Sequence, residues 1–549
     1  MEEDWRFVKG EQIYKTQVES FGLGSRITTS YVLEKGKRSI VLKVLLILYV
    51  TNKRNMMKLS KRDIKQGYNG IKRMAQNAYV QGDYELSLEY IEKCATIAQQ
   101  FNFVYTDDEL EDLLKRIGGK TISLDKPDFV PIKGRVAFYD DFSVSFVLSL
   151  QYLEALVAAN KEILYVTVDG KNSRFDGVID KVKNYANIEI KVVHKTSRVQ
   201  TLKSIFDAVV DFRPEKLLLH IYATTRVVPA LYRMPSIIDK YIINLADQTF
   251  WLGAGAVDYV LEFRQFGVSV SQQRRGIKPQ QQLLIPFYPL ADGNSFQGFP
   301  KGCQTDGKVL IFSGGDVYKV LDERRMYWHL VKRLLDTFPE VIFWFATKIE
   351  GKGVEFVKRF IAENHYEGRM FYTKFRPDIN EVMAHADIFL GTCPVCGSLM
   401  SQLAAHNGTP ILQYYYPGTP DDETEQAICI NKVFQISYQD EEKFIDEAEK
   451  LIKDKEYRKR QGERLKEAMV SKEQFNAMVE EALETNKSPM ALKPFEVNYK
   501  VLDDRWYELE KMGHTDTMPY LCGILGKKNT LRYVPIVFLK KQVRRIKTN

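Results

Sequence analysis

Residues 391–410 read GTCPVCGSLMSQLAAHNGTP, which sets Cys393 and Cys396 directly ahead of Gly397 and Ser398. Such residues can form a redox dithiol, half of a metal site, or a backbone cradle for phosphate. A redox C-x-x-C normally opens the first helix of a small thioredoxin-like domain, whereas this pair follows the fourth strand of a longer series. Zinc needs about four ligands. No second C-x-x-C or paired His and Cys lies nearby in the sequence, so no metal is expected.

The phosphate chemistry uses more of the residues. ADIFLGT reads as a strand, CPVCG as a loop, Ser398 as an N-cap, LMSQLAAHN as a short helix stopped by Gly408, and TPILQYYY as the next strand. A glycine at a helix start lets backbone N–H groups approach an anion, and the helix dipole adds positive potential there. A plain strand-to-helix turn would have the same sequence, and the loop alone does not separate the two. The first strand of the same series ends in LIFSGGDVYK. Ser313, Gly314 and Gly315 are small residues at its end, and Lys319 follows a few residues on, a point charge suited to phosphate.

In the preceding half of the chain His220, after KLLL, and Asp247 stand at the ends of expected strands and are candidate general bases. Their structural counterparts are a hydrogen-bonded core histidine and a helix-capping aspartate. Phe250 and Trp251 in FWLGAG offer faces on which a sugar could stack, although such rings more often pack in a core.

The elements that must hold these residues form two series of short β-branched runs separated by helix-compatible stretches. RVAFYDD, ILYVTVD, IEIKVVHK, KLLLHIY, YIINLA and VDYVLEF fall within residues 134–290, and KVLIFSGG, VIFWFAT, GRMFYTK, ADIFLGT and PILQYYY within 305–480. Several are apolar without alternation, as strands of a parallel sheet buried on both faces are. The expected fold class is therefore α/β, with two Rossmann-like doubly wound domains facing a cleft. Ligands of such sheets bind outside the carboxyl ends of the strands. Residues 1–56 form an N-terminal extension and 57–125 a small helical domain. GDYELSLEYIEKCATIA in the latter resembles one tetratricopeptide helix, but no second copy follows at a period of about 34 residues. Residues 481–549 form a C-terminal helix and basic tail.

The 549 residues exceed what one core holds. Their 79 Lys and Arg against 71 Asp and Glu give a net charge of +8, too mild for a dedicated nucleic-acid binder, and no nucleic-acid module accompanies it. Six cysteines, isolated apart from C-P-V-C, suit a reducing compartment, and the acidic start MEEDWRFVKG is unlike a secretory signal. A cytoplasmic location is expected. SIVLKVLLILYV is interrupted by Lys43 and falls short of the roughly 20 residues of a membrane span. GKKNTLRYVPIVFLKKQVRRIKTN carries eight Lys or Arg around an apolar patch. It suits either an anionic membrane surface, at the inner face of the membrane, or an ordinary solvated terminus.

Taken in order, F-SGGD-V-YK-V, GRMFYTKF, HADIFLGT-CPVCG, GTPIL and PGTPDDET resemble the C-terminal half of the O-GlcNAc transferase catalytic region and its bacterial relatives, inverting glycosyltransferases of the GT-B fold. LLLHIYATTRVVPALYRMPSIIDKYIINLADQTFWLGAGAVDYVLEFRQFG resembles their segment leading into the interdomain cleft, with GAVDYV its best-matching piece. The resemblance spans roughly residues 135–480. It implies that Lys319 contacts the donor diphosphate and that the Gly397–Ser398 turn holds it through backbone amides, with Ser313, Gly314 and Gly315 beside them. Phe375 and Arg376 would lie at the nucleotide base, and Asp422, Glu423 and Thr424 near ribose and phosphate. His220, Asp247, Gln248 and Trp251 would lie on the acceptor side. Where the family has a run of hydroxyl residues, this chain has Ser398, Leu399, Met400 and Ser401. Many bacterial relatives have histidine where Gln248 stands, and glutamine cannot act as a general base. The first strand's loop, YDDFSVSFV, lacks a glycine for close approach to a sugar.

The implied function is inverting, metal-independent transfer of a hexosyl or N-acetylhexosaminyl group from a nucleotide-sugar, UDP-linked ahead of GDP-linked, to an envelope glycan or lipid-linked saccharide acceptor. The sugar nucleotide is a substrate, and no cofactor is expected. Two alternatives stand beside it: a catalytically silent GT-B subunit that binds acceptor or partner, and a nucleotide-sugar 2-epimerase.

Overall fold

Apolar, β-branched runs too short for helices must pair with one another and be covered on both faces, and the structure resolves them into two parallel sheets. This computed structural model describes residues 61–504 except 124–128, 142–145, 170–173, 223–226, 291–292, 323, 348–351 and 419–423. It also describes residues 517–533 and, as backbone, three strands before residue 33. Those three, β1 (Glu3–Val8), β2 (Glu11–Val18) and β3 (Ile27–Val32), form an antiparallel meander. SIVLKVLLILYV and most of the basic tail lie outside the described residues, and no described helix is long and apolar enough to cross a membrane.

The first large sheet comprises β4 (Ile132–Asp140), β5 (Glu162–Val168), β6 (Ile188–Val193), β7 (Pro214–His220), β8 (Asp239–Ile243), β9 (Tyr259–Glu262) and β10 (Gln282–Leu284). Its order is β10-β9-β8-β7-β4-β5-β6, parallel throughout. The second comprises β11 (Val309–Gly314), β12 (Val341–Ala346), β13 (Met370–Thr373), β14 (Ile388–Leu390), β15 (Ile411–Tyr414) and β16 (Ser437–Tyr438). Its order is β13-β12-β11-β14-β15-β16, again parallel. Each is a doubly wound sheet that winds one way from its first strand and then the other. The reversals fall between β4 and β7 and between β11 and β14, where the helices diverge and leave a crevice. Two such domains with a cleft between them make the GT-B fold.

The helices Lys61–Val80, Tyr84–Phe101 and Asp108–Thr121 share one continuous core with one face of the first sheet: Ile71, Ile91 and Leu113 pack with Ala137, Leu164 and Leu219. Asp83 and Asp107 start two of these helices by accepting backbone N–H groups at Leu86 and at Glu109 and Leu110. The opposite face is covered by helix Phe146–Ala158 and by helix Lys472–Thr485, which crosses back from the second domain. Phe475 meets the Tyr152 and Tyr288 rings edge-on at 5.2 and 5.4 Å. The boundary expected at residue 480 falls inside this helix.

Gly462, on helix Lys455–Ala468, permits a backbone contact that no side chain could. A Cβ there would sit 1.7 Å from the carbonyl oxygen of Gly408, the left-handed C-cap of helix Ser398–Asn407. Backbone on backbone cannot yield. Gly462→Ala is expected to cost about 1–3 kcal/mol, measured as a lowered urea midpoint, and an unchanged midpoint would contradict this packing.

Candidate functional site

The switch point of the second sheet gathers most of the residues singled out for phosphate. Strand β11 ends in Ser313 and Gly314, and Gly314 is enclosed by Ala346 O and Met400 Cε, each 3.3 Å from where a Cβ would stand. Gly315 follows at φ +150°, a conformation that favours glycine. The single turn Val317–Val320 then brings Lys319 back over it, the Lys319 Cδ lying 3.5 Å from a Gly315 Cβ position. Across the switch point, Gly391 and Thr392 follow β14. A Cβ on Gly391 would fall 1.8 Å from Gln413 Oε1, and Gln413 Nε2 donates to the carbonyls of Thr392 and Tyr414 at 3.0 and 2.6 Å. The C-P-V-C loop is stapled twice more. Thr392 Oγ1 donates to Val395 O at 2.7 Å, and the Val395 N–H donates to Lys319 O at 3.3 Å.

These constraints set Lys319 Nζ 3.7 Å, and Thr392 Oγ1 3.5 Å, from where a Cβ on Gly397 would stand. Gly397 is the N-cap of helix Ser398–Asn407, and no side chain caps it. Ser398, expected at the N-cap, is the first helical residue instead, with its Oγ 3.6 Å from Cys396 Sγ. The Ser401 N–H bonds back to Gly397 O, while the amides of Ser398, Leu399 and Met400 have no acceptor within the helix. A partly buried ammonium thus stands over the positive end of a helix. Among the described residues it has no ion pair or hydrogen bond of its own. The arrangement concentrates positive potential at one point.

Other expected donor residues have structural duties. Ser313 is buried and accepts from Tyr327 OH at 2.7 Å. Arg376 is fixed by a two-pronged pair with buried Asp378, at 2.7 and 2.6 Å, donates to Gly298 O at 2.9 Å, and packs on the Trp344 ring. It therefore fastens the interdomain connection rather than presenting itself to a base. Phe375 beside it is 46% exposed. Thr424 is buried at the start of the short helix Glu425–Ile428, and Asp422 and Glu423 lie outside the described residues.

At the switch point of the first sheet, Asp140 and His220 stand opposite one another at the ends of β4 and β7. His220 Nδ1 lies 2.9 Å from Asp140 Oδ1 and 2.8 Å from Ser149 Oγ, which donates to Asp140 Oδ2 at 2.5 Å. A carboxylate only accepts, so a neutral imidazole here has its proton on Nδ1 and its lone pair on Nε2. The imidazole is wholly buried. Asp140, at the end of RVAFYDD, is the partner that the sequence reasoning missed; a charged residue closing an apolar strand was the available signal. Asp247 is corrected as a base candidate. Both its oxygens are held by the buried Arg264, at 2.6 and 2.9 Å, and its surroundings are closed. Gln248 is half-buried, and its backbone carbonyl accepts from Asn102 Nδ2 at 2.9 Å. Trp251 is not a platform for sugars: it is core, beneath Arg275 at 5.1 Å.

The strand ends of the two sheets meet in a cavity of about 540 Å³, with Arg264, Leu284 and Pro286 from the first and Tyr415, Glu425 and Ser437 from the second. Gln402 Nε2 donates to Phe287 O at 3.0 Å, and the Phe266 N–H donates to Gln426 Oε1 at 2.7 Å, so both sides of this cleft are tied together. Cys393 and Cys396 are free thiols, and no group of three or more His, Cys, Asp or Glu able to hold a metal occurs among the described residues.

No protein-family model matches the sequence, and no curated protein matches it. Among solved structures, the chain is similar to a mutant of the Thermobaculum terrenum O-GlcNAc transferase, at 13% identity over 81% of this chain and 83% of that one, TM-score 0.46. It is similar also to Anabaena HepE in complex with UDP, at 11% identity over 64% and 100% of the two chains, TM-score 0.45. A third is the UDP-GlcNAc 2-epimerase of Neisseria meningitidis bound to UDP-GlcNAc, at 12% over 64% and 100%, TM-score 0.43. At such values these likenesses say nothing of what this chain binds.

Two measurements follow from the charges. Arg264→Met leaves the Asp247 carboxylate buried and unpaired and is expected to cost about 3–5 kcal/mol. Lys319→Met removes a cation from the positive end of a helix and is expected to be neutral or stabilising by about 0.3–1 kcal/mol. Denaturant unfolding of both variants checks this opposite sign. The Arg376 guanidinium holds Asp378 down to about 2. A depressed carboxylate stabilises the fold above its ordinary range, and that contribution is lost as pH falls through about 2. Between pH 4 and 2, about the span of that titration, stability should fall less steeply in Asp378→Asn than in the wild-type chain.

Proposed function

We propose that this chain is a glycosyltransferase that takes a sugar from a nucleoside-diphosphate sugar, UDP-linked ahead of GDP-linked, and passes it to a hydroxyl of a saccharide acceptor with inversion. The observation that carries this is Lys319 Nζ standing beside the uncapped start of helix Ser398–Asn407, at the switch point of the second sheet. Transfer is an in-line displacement. The acceptor oxygen loses its proton and bonds to the anomeric carbon, while the bond from that carbon to the diphosphate oxygen breaks and its electron pair stays with the leaving group. The charge that grows there is met by the Lys319 ammonium and the amides of Ser398, Leu399 and Met400, already in place before reaction. Exposed Phe375 offers its ring to the nucleotide base. His220, held as its Nδ1–H tautomer by Asp140, is the base, which asks that the acceptor hydroxyl reach an imidazole now enclosed.

That enclosure, with Asp247 bound to Arg264, also favours a second reading: a silent GT-B subunit that binds nucleotide and an acceptor or partner without turnover. Lipid-linked acceptors and an anionic membrane surface fit the basic tail.

Calorimetric titration with UDP and GDP tests the donor site. Lys319→Ala and Gly397→Val should each weaken UDP binding by roughly tenfold or more, about 1.4 kcal/mol. Binding that neither substitution alters overturns this site. Given a substrate pair, His220→Ala should lower kcat by about 10²–10⁴ with donor KM little changed. No turnover in a wild-type chain that binds UDP points to the silent subunit.

A further inference from the structure

A second cavity, of about 360 Å³, lies between helices Met326–Thr337 and Lys352–Glu363 and shares no lining residue with the Lys319 site. It stands on the other face of the second sheet. Its helices pack through Trp328, Phe356 and Phe360 with Ile311 and Phe343, whereas helix Ser398–Asn407 packs through Ala404 and Ala405 with Leu310 and Phe312.

Its lining is dominated by cations. Lys332 is paired with Asp336 at 2.8 Å and His329 with Glu441 at 2.7 Å, and exposed Glu363 is the one carboxylate in the lining. Arg324, Arg325 and Arg359 have no carboxylate partner among the described residues. Two of them are held by rings instead: the Arg325 guanidinium lies over Phe356 at 5.2 Å and that of Arg324 over Tyr416 at 4.8 Å. A guanidinium lying over a ring keeps its N–H donors unspent. Such forks match the oxygens of a phosphate, which they bind in pairs. The cavity falls within the volume range of small-ligand sites, roughly 300–1,000 Å³.

We propose that this cavity is a second anion site, taking a phosphomonoester or diphosphate group on Arg324, Arg325 and Arg359, apart from any nucleotide at Lys319. It does not depend on the transferase reading. The group could belong to a free phosphate ester or to a lipid headgroup.

Inorganic pyrophosphate is titrated calorimetrically at low salt into Lys319→Ala, which removes the main cation of the other site. One pyrophosphate is expected to bind still. Adding Arg324→Ala and Arg359→Ala should weaken that binding by roughly tenfold or more. Both side chains are exposed and carry no ion pair, and an unchanged unfolding midpoint verifies that the fold persists. Arg359→Lys, which keeps the charge and loses the fork, should fall between. Sedimentation with phosphatidylcholine vesicles, with and without phosphatidic acid, separates the sources. Vesicle binding that needs phosphatidic acid and falls with the arginine substitutions assigns a headgroup, and binding of soluble pyrophosphate alone assigns a free ester. No pyrophosphate bound to Lys319→Ala, or binding indifferent to the arginines, overturns the proposal.

Discussion

A lysine ammonium beside the positive end of a helix is unfavourable by itself, and the second domain is built to keep it there. Like potentials would part if the loops could relax. They cannot, because the Val395 N–H is bonded to the Lys319 carbonyl, Thr392 grips the C-P-V-C loop, and Gln413 fills the space left by Gly391 while holding Thr392 from behind. The far end of the helix is pressed by the backbone of Gly462. The cost of the unpaired charge, on the order of 1 kcal/mol, is borne by packing elsewhere in the domain, and an anion would repay it.

The two switch points divide the chemistry between two domains. One offers positive charge at β11 and β14, and the other a carboxylate–histidine pair at β4 and β7. In the proposed transfer neither half would displace a leaving group alone, since one would stabilise the departing charge and the other accept a proton. Gln402 and Gln426 join the halves through backbone groups of Phe287 and Phe266. The crossing helix Lys472–Thr485 then makes their spacing part of the first domain's core.

Much of this could be read from the sequence because parallel strands buried on both faces announce themselves as unbroken apolar runs. Gly408 was legible as the residue that stops a short helix, and Lys319 and Gly397 as a cation and a glycine near strand and helix ends, a pattern that a plain strand-to-helix turn would share. The pairings between distant segments were not legible. Asp247 takes Arg264, and Arg376 takes Asp378, through side-chain geometry that periodicity does not encode. Asp140 meets His220 only because the sheet reverses between β4 and β7 and sets residues 80 apart side by side. Ser398 misled by type. Serine favours an N-cap, but the loop enters the helix one residue earlier, at Gly397.

The proposed nucleoside-diphosphate site rests on Lys319 and the start of helix Ser398–Asn407. A crystal of the chain grown with UDP tests it most directly. Diphosphate density is expected within hydrogen-bond reach of Lys319 Nζ and of the amides of Ser398, Leu399 and Met400. Well-ordered UDP bound elsewhere, with Lys319 and the helix start untouched, would contradict it.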